Sequence, residues 1–161
     1  DCSLAISLHA PTDTVRNVLV PVNRKYPIKD LLAAANEYIE SRQSLRRLII
    51  EYTLIEGVND SPQDAAQLAD LLKPIKCKIN LIPFNTFDGA GYNSPKDQCV
   101  KAFQRRLVLA GHRVMIRSTR GSDIMAACGQ LAELSQNDAG SSIEGVSDDQ
   151  RTLALTFPES A

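Results

Sequence analysis

Four cysteines and two histidines are the side chains of this 161-residue chain best suited to metal or thiol chemistry. The cysteines show neither a C-x-x-C pair nor any other spacing typical of a metal site. They are Cys2, Cys77, Cys99 and Cys128. We therefore expect free thiols in a reducing, cytoplasmic compartment. The small neighbours of Cys128, Ala127 and Gly129, leave its sulfur accessible, although a buried, inert thiol is the alternative interpretation.

The histidines and one asparagine each allow two interpretations. His9 follows the first apolar run and is either a general base or a structural histidine. His112 follows Gly111, where it would interact favourably with the dipole of the preceding helix. Asn85 follows Pro83 and is either a ligand-binding amide or an ordinary turn residue.

A basic stretch lies towards the end of the chain. Residues 98–122 contain six Lys or Arg residues and no Asp or Glu. The arginines are Arg105, Arg106, Arg113, Arg117 and Arg120. The stretch is either a solvated face or a phosphate-binding surface. Beyond it the charge reverses, since residues 134–161 hold one basic and five acidic residues.

Short β-like apolar runs alternate with longer helical ones, a pattern typical of βα units around a parallel sheet. The predicted strands are residues 4–8, 48–55, 77–82 and 114–116. The predicted helices are residues 12–19, 28–39, 61–72 and 94–110. Thr12 and Ser61 are the expected N-caps, with Asp64 completing a near capping box, and Gly111 is the expected end of the last helix.

Four strands are too few to close a β/α barrel, so we expect an α/β fold that forms half of one. Parallel α/β sheets bind ligands at the loops after their strands, which selects residues 7–10, 56–60, 83–86 and 117–121. Residues 1–133 would form this folded core, and the acidic, aperiodic residues 134–161 a flexible tail. No apolar run of about 18 residues predicts a membrane span, and the N-terminus does not resemble a signal peptide.

Five blocks of the chain, in this order, resemble the radical-SAM adenine C2-methyltransferases that modify 23S rRNA and tRNA. They are residues 4–11 (LAISLHAP), 20–28 (VPVNRKYPI), 51–60 (EYTLIEGVND), 80–85 (NLIPFN) and 117–131 (RSTRGSDIMAACGQL). The last block is the most distinctive. The resemblance covers roughly residues 4–133.

The resemblance implies the later part of a partial β/α barrel of six units. It implies that Ser7, Leu8 and His9 line the site of S-adenosylmethionine (SAM), and that Asn85 hydrogen-bonds the SAM nucleoside. Cys128 would carry the methyl group, because adenine C2 is electron-poor and cannot attack the SAM methyl directly. In the family, a radical derived from a second SAM at a [4Fe–4S] cluster then activates the S-methyl group. Arg117 and Arg120, in the turn after the last strand, are the candidates for contacting RNA phosphates.

Several motifs of the family are missing from this chain. It has no C-x-x-x-C-x-x-C motif for the cluster and no Gly-Gly-Glu segment for the SAM amino group. We expect these upstream of Asp1, because the chain enters an apolar run almost at once and looks cut within a fold. Whether the chain alone is an enzyme stays open. The alternative is a non-catalytic half-barrel remnant that binds SAM or RNA weakly at most.

Overall fold

The computed structural model describes residues 4–41, 48–87 and 89–117. This part of the chain contains four strands and four α-helices, with two helices between the first and second strands and one between each later pair of strands. They are β1 (Ala5–Ser7), α1 (Asp13–Leu19), α2 (Ile28–Glu40), β2 (Leu48–Leu54), α3 (Pro62–Leu72), β3 (Cys77–Pro83), α4 (Asp97–Leu109) and β4 (Arg113–Ile116). A short 3-10 helix, Pro21–Arg24, which the sequence did not predict, lies between α1 and α2. No described helix is long and apolar enough to span a membrane.

The strands form one parallel sheet in the order β1-β2-β3-β4. Their register pairs Ser7 with Glu51, and Glu51 in turn with Asn80. Because all strands run in the same direction, their C-terminal ends meet at one edge, the C-terminal edge. The predicted α/β fold, with a parallel sheet and outer helices, is confirmed.

Helix α3 shows how local sequence sets an element. The Ser61 hydroxyl accepts from the Asp64 N–H and the Asp64 carboxylate accepts from the Ser61 N–H, so the predicted capping box is complete. Pro62 occupies the first turn, where its missing N–H costs nothing. The buried residues of α3 follow helical spacing and face the sheet: Ala65, Leu68, Ala69 and Leu72.

Helix α4 begins at Asp97, so the predicted start at Ser94 was wrong. Ser94 instead belongs to the preceding loop, where its N–H donates to the Thr86 hydroxyl and its own hydroxyl accepts from the Thr86 N–H. These bonds use the hydroxyl that would have capped the helix. The predicted end is confirmed, because Gly111 has a φ of 92° and donates to the Val108 carbonyl.

Among the described residues, one face of the sheet packs against the helices, and we call it the covered face. Its buried strand residues are Ile6, Leu48, Ile50, Tyr52, Leu54, Ile79 and Leu81. The apolar cluster is completed by side chains of α2, α3 and α4. Fully burying each large side chain of this kind contributes roughly 1.5–3 kcal/mol, so this face dominates the stability of the fold.

The alternate strand residues form the opposite, open face, where none is buried. They are Ala5, Ser7, Ile49, Glu51, Thr53, Lys78, Asn80, Ile82, Arg113 and Met115. Parallel sheets normally have both faces covered, and in a β/α barrel the second face lines the interior. An open face that is mostly polar therefore fits the interior of a partial barrel.

Candidate functional site

The loops after the strands bring four of the predicted site residues to the C-terminal edge. Ser7 ends β1 and His9 follows it, while Asn85 and Arg117 come directly after β3 and β4. Backbone hydrogen bonds keep the strand ends aligned: the Phe84 N–H donates to the Leu54 carbonyl, and the Arg117 N–H to the Leu81 carbonyl, at 2.9 and 2.8 Å. This edge is the site to which the sequence pointed. Cys128 and Arg120 lie outside the described residues.

Leu8 contributes to this edge differently from its neighbours. Its side chain is fully buried in the core, so it cannot contact a ligand. Its N–H donates to the Glu51 carbonyl at 2.9 Å and its carbonyl accepts from the Arg16 Nε at 2.9 Å. Leu8 therefore anchors the loop, whereas the exposed Ser7 and the partly exposed His9 present side chains at the surface.

The geometry of His9 determines which ring nitrogen carries the proton. Nδ1 accepts a hydrogen bond from the Thr53 N–H at 3.0 Å. Burial of the ring, and then the nearby charge of Arg16, lower the pKa of His9 to about 4. The ring is therefore neutral at pH 7, with its proton on Nε2. Nδ1 already uses its lone pair to accept from Thr53, and Nε2 carries the proton. His9 can therefore donate a hydrogen bond, but it cannot act as the general base that one interpretation of the sequence allowed.

Two buried polar side chains behind this loop were not predicted from the sequence. Arg16, on α1, is 4% exposed, and its guanidinium contacts the Ser7 and Leu8 carbonyls and the Asn23 side chain. Asn59, in the loop after β2, is fully buried and contacts the His9 carbonyl. A polar residue within an amphipathic helix and an asparagine next to a turn carry no sequence signal that distinguishes them from surface residues.

A third polar residue, Asp13, completes the support of the α1 region. Its carboxylate accepts from the Ile28 N–H at 2.9 Å and from the Asn23 amide at 2.8 Å. These two hydrogen bonds lower the pKa of Asp13, and the carboxylate is therefore ionised at neutral pH. The Asn23 side chain links this anion to the Arg16 guanidinium, so the two charges lie in one hydrogen-bonded chain.

The open face carries an ion pair beside the loop. Arg117 Nη1 lies 3.4 Å from Glu51 Oε1, with the two side chains 60% and 28% exposed. Glu51 is on β2 and Arg117 follows β4, so the pair crosses over β3. The main-chain carbonyl of Glu51 also accepts from the Leu8 N–H. Glu51 thereby contacts both the loop after β1 and Arg117, which precedes Arg120 and Cys128 in the sequence.

The loop carrying Asn85 is fixed by its own contacts. The Phe84 ring packs edge-on against Tyr92, with ring centroids 6.2 Å apart. The Glu56 N–H donates to the Asn93 carbonyl at 3.1 Å, joining this loop to the one after β2. Asn85 itself is exposed at the edge. An ordered loop with an exposed amide is what a ligand-binding role for Asn85 requires.

Two clefts in the described residues lie away from this edge. One, of about 450 Å³, lies on the helical side between α2 and the end of α3, with Leu32 and Leu71 in its wall. The other, of about 310 Å³, lies where β3 and β4 begin, with Lys73, Lys76 and Arg113 around it. Neither contains a predicted site residue. The basic side chains of the second cleft lie beside the C-termini of α3 and α4, where positive charge offsets the helix dipoles.

No protein-family model matches the chain. It is 56% identical over 131 residues to the dual-specificity RNA methyltransferase RlmN of Marinomonas sp. (strain MWYL1), covering 81% of this chain and 35% of that protein. It is 45% identical over all 161 residues to the RlmN of Pseudomonas putida (strain KT2440), covering 42% of that protein. The crystal structure of a radical SAM methyltransferase from Sphaerobacter thermophilus superimposes with a TM-score of 0.76 at 45% identity, covering 81% of this chain and 38% of that one.

The chain belongs to the RlmN-type family of radical-SAM methyltransferases. It spans about 35–42% of the length of these curated relatives. The family resemblance predicted from the five sequence blocks is confirmed, and so is the partial-barrel fold, which the structural relative shares. Members of a radical-SAM family use SAM and, in general, a [4Fe–4S] cluster.

The described cysteines do not form a cluster site. Cys77 begins β3, at the edge opposite the Ser7–His9 loop, and burial raises the pKa of its thiol to about 11. Cys99 lies within α4 and is half-buried. Within residues 4–41, 48–87 and 89–117, no group of three His, Cys, Asp or Glu side chains could hold a metal ion.

Proposed function

We propose that this chain is the part of an RlmN-type enzyme that binds SAM at the C-terminal edge and supplies the methyl-carrying cysteine, Cys128. The whole enzyme would methylate adenine C2 in 23S rRNA and tRNA. The observation that carries the proposal is the common location of Ser7, His9 and Asn85 in a chain related to RlmN enzymes. Residues 1–133 would form the core, and residues 134–161 an acidic tail outside it.

The donor set at the edge suits the polar groups of a nucleoside. The Ser7 hydroxyl and the Asn85 amide can each donate and accept, whereas the neutral His9 ring donates through Nε2. A neutral histidine also avoids adding a second positive charge beside the sulfonium of SAM. When bound, SAM would supply the methyl group and the radical that activates it. The residues of this chain would hold and orient it.

We assign no cluster ligand to this chain, because neither the spacing of its cysteines nor the location of Cys77 and Cys99 fits a cluster. Cys128 has a different role in the proposal. Its thiolate would attack the SAM methyl, forming a thioether and releasing S-adenosylhomocysteine, with the thiol proton passing to solvent. An RNA substrate must reach this thioether, and Arg117 and Arg120 would contact its phosphates.

The proposal is tested by replacing Cys128 with Ala in the full-length protein. Methylation of RNA adenine C2, measured by mass spectrometry of nucleosides, should fall to background because no thiol remains to carry the methyl. Cys99→Ala is the matched control and should retain activity, since Cys99 lies on a helix away from the edge. Full methylation by the Cys128 variant would refute the assignment, and inactivity of the unaltered full-length protein would favour the non-catalytic remnant.

A further inference from the structure

The main chain of the Ser7–His9 loop is held by side chains from two other parts of the fold. Arg16 donates from Nη2 to the Ser7 carbonyl at 3.1 Å and from Nε to the Leu8 carbonyl at 2.9 Å. Asn59 donates from Nδ2 to the His9 carbonyl at 2.7 Å. Three successive carbonyls thus accept from buried side chains.

Asn59 also fixes the strand against which the loop packs. Its Nδ2 donates to the Thr53 carbonyl and its Oδ1 accepts from the Ile55 N–H, at 2.7 and 2.8 Å. The Tyr52 hydroxyl donates to the Asn59 main-chain carbonyl at 2.9 Å. The Thr53 N–H, in turn, is the donor to His9 Nδ1. One buried amide therefore sets the relative position of the His9 main chain and of the strand that orients its ring.

The loop has a backbone conformation that needs such support. His9 has a φ of 59°, in the left-handed region that residues with a Cβ rarely adopt. Such strained residues persist where surrounding contacts over-determine them, and they cluster at ligand sites. A buried guanidinium is also costly unless it is hydrogen-bonded, and Arg16 donates three hydrogen bonds, to two loop carbonyls and to the Asn23 side chain. Simple packing would not require a charged group here.

We propose that Arg16 and Asn59 are positioning residues for SAM, which hold the Ser7–His9 loop so that the Ser7 hydroxyl and His9 Nε2–H face the ligand. The inference rests on the proposed SAM site at this loop. Neither residue would touch SAM itself. Arg16 acts through the carbonyls of Ser7 and Leu8, and Asn59 through the carbonyl and the ring of His9.

Arg16→Lys in the full-length protein is the first test, because lysine keeps the charge but cannot reach both carbonyls with a planar fork. SAM affinity, measured by calorimetry, should fall at least about tenfold. The ¹⁵N signals of the His9 ring should also lose the pattern of a single Nε2–H tautomer. Should Arg16→Lys fail to fold, Asn23→Ala is the second variant. It removes the Asn23 contacts with Arg16, Asp13 and Asn17 but leaves both carbonyl bonds of Arg16, and it should weaken SAM binding a few-fold.

Leu107→Ala is the matched control for a purely structural role. Leu107 is fully buried on α4, so its replacement should destabilise the fold without changing a contact of the loop. It should lower the free energy of unfolding but leave SAM affinity and the His9 tautomer unchanged. Arg16→Lys with unchanged SAM affinity, or with a loss no larger than that of Leu107→Ala, would overturn the positioning role. Asn85→Ala separates the two proposals: if it also leaves SAM affinity unchanged, the proposed SAM site itself fails.

Discussion

The two faces of the sheet share the same strands but differ in almost every property. At one level of the register, Ile50 and Ile79 are fully buried against the helices. One residue further along, Glu51 and Asn80 lie on the open face and are partly exposed. Because side chains alternate along a strand, one sequence of residues supplies a stabilising core and a polar surface at once. A shift of one residue along a strand thus leads from the stabilising core to the polar open face.

The largest expected difference between the faces is in the free energy of unfolding. Ile79→Ala removes a fully buried side chain from the covered face and should cost about 2–5 kcal/mol. Its neighbour Lys78 is exposed on the open face, so Lys78→Ala should change stability by less than about 0.5 kcal/mol. Urea unfolding of both variants measures this. Similar losses from the two would show that the open face is packed as tightly as the covered one.

A smaller effect should appear at the C-terminal edge, where the His9 side chain is partly buried. Its folded pKa of about 4 lies below the unfolded value of 6.5. Between these two pH values the unfolded state binds more protons, so the contribution of His9 to stability is present above pH 6.5 and is lost as the pH falls towards 4. The loss should approach roughly 1.4 kcal/mol per pH unit.

Chemical unfolding at a series of pH values from 7 to 4.5 would detect this loss. His9→Asn is the control, because asparagine tolerates a positive φ but does not titrate in this range. The variant should show a shallower pH dependence than the unaltered protein. Parallel pH profiles for the two would mean that the pKa of His9 is the same in the folded and unfolded states, which would contradict its burial and the hydrogen bond from Thr53 to Nδ1.

The smallest stability effect is expected for Arg117, whose ion pair with Glu51 is largely exposed. Arg117→Ala should cost no more than about 1 kcal/mol of the free energy of unfolding, because exposed pairs are screened by solvent.

The effect of losing Arg117 on RNA affinity should be larger. Arg117→Ala combined with Arg120→Ala should lower RNA affinity. It should also make the plot of the logarithm of the binding constant against the logarithm of the salt concentration less steep by roughly 1.4–1.8, since two phosphate contacts are lost.

Filter binding across a salt series tests this, with Lys101→Ala plus Arg105→Ala as the control of equal charge. Both control residues are exposed on α4, away from the C-terminal edge. Arg106 is a poorer control because its guanidinium donates to the Pro62 carbonyl at 2.7 Å. If the two double variants weaken RNA binding equally, the basic stretch is a general electrostatic surface and the edge has no special role.

Much of the fold could be predicted because its signals are local. Ser61, Pro62 and Asp64 predicted the start of α3, and Gly111 predicted the end of α4. The start of α4 was missed because the Ser94 hydroxyl bonds with Thr86, a residue outside the helix. The site was predicted only in part. Ser7, His9, Asn85 and Arg117 lie at the expected edge, whereas the predictions for Cys128 and Arg120 stay predictions.

The sequence by itself determined the order of strands and helices, the parallel sheet and the family, because periodicity, caps and motif blocks are properties of neighbouring residues. Only the tertiary structure decided the hydrogen bonding of His9 and the contacts of Arg16 and Asn59 with the Ser7–His9 loop. The bond from Asn59 to the His9 carbonyl joins residues 50 positions apart, and that from Thr53 to the His9 ring joins residues 44 apart. Such contacts depend on how β1 and β2 pack side by side, and no local pattern encodes that distance.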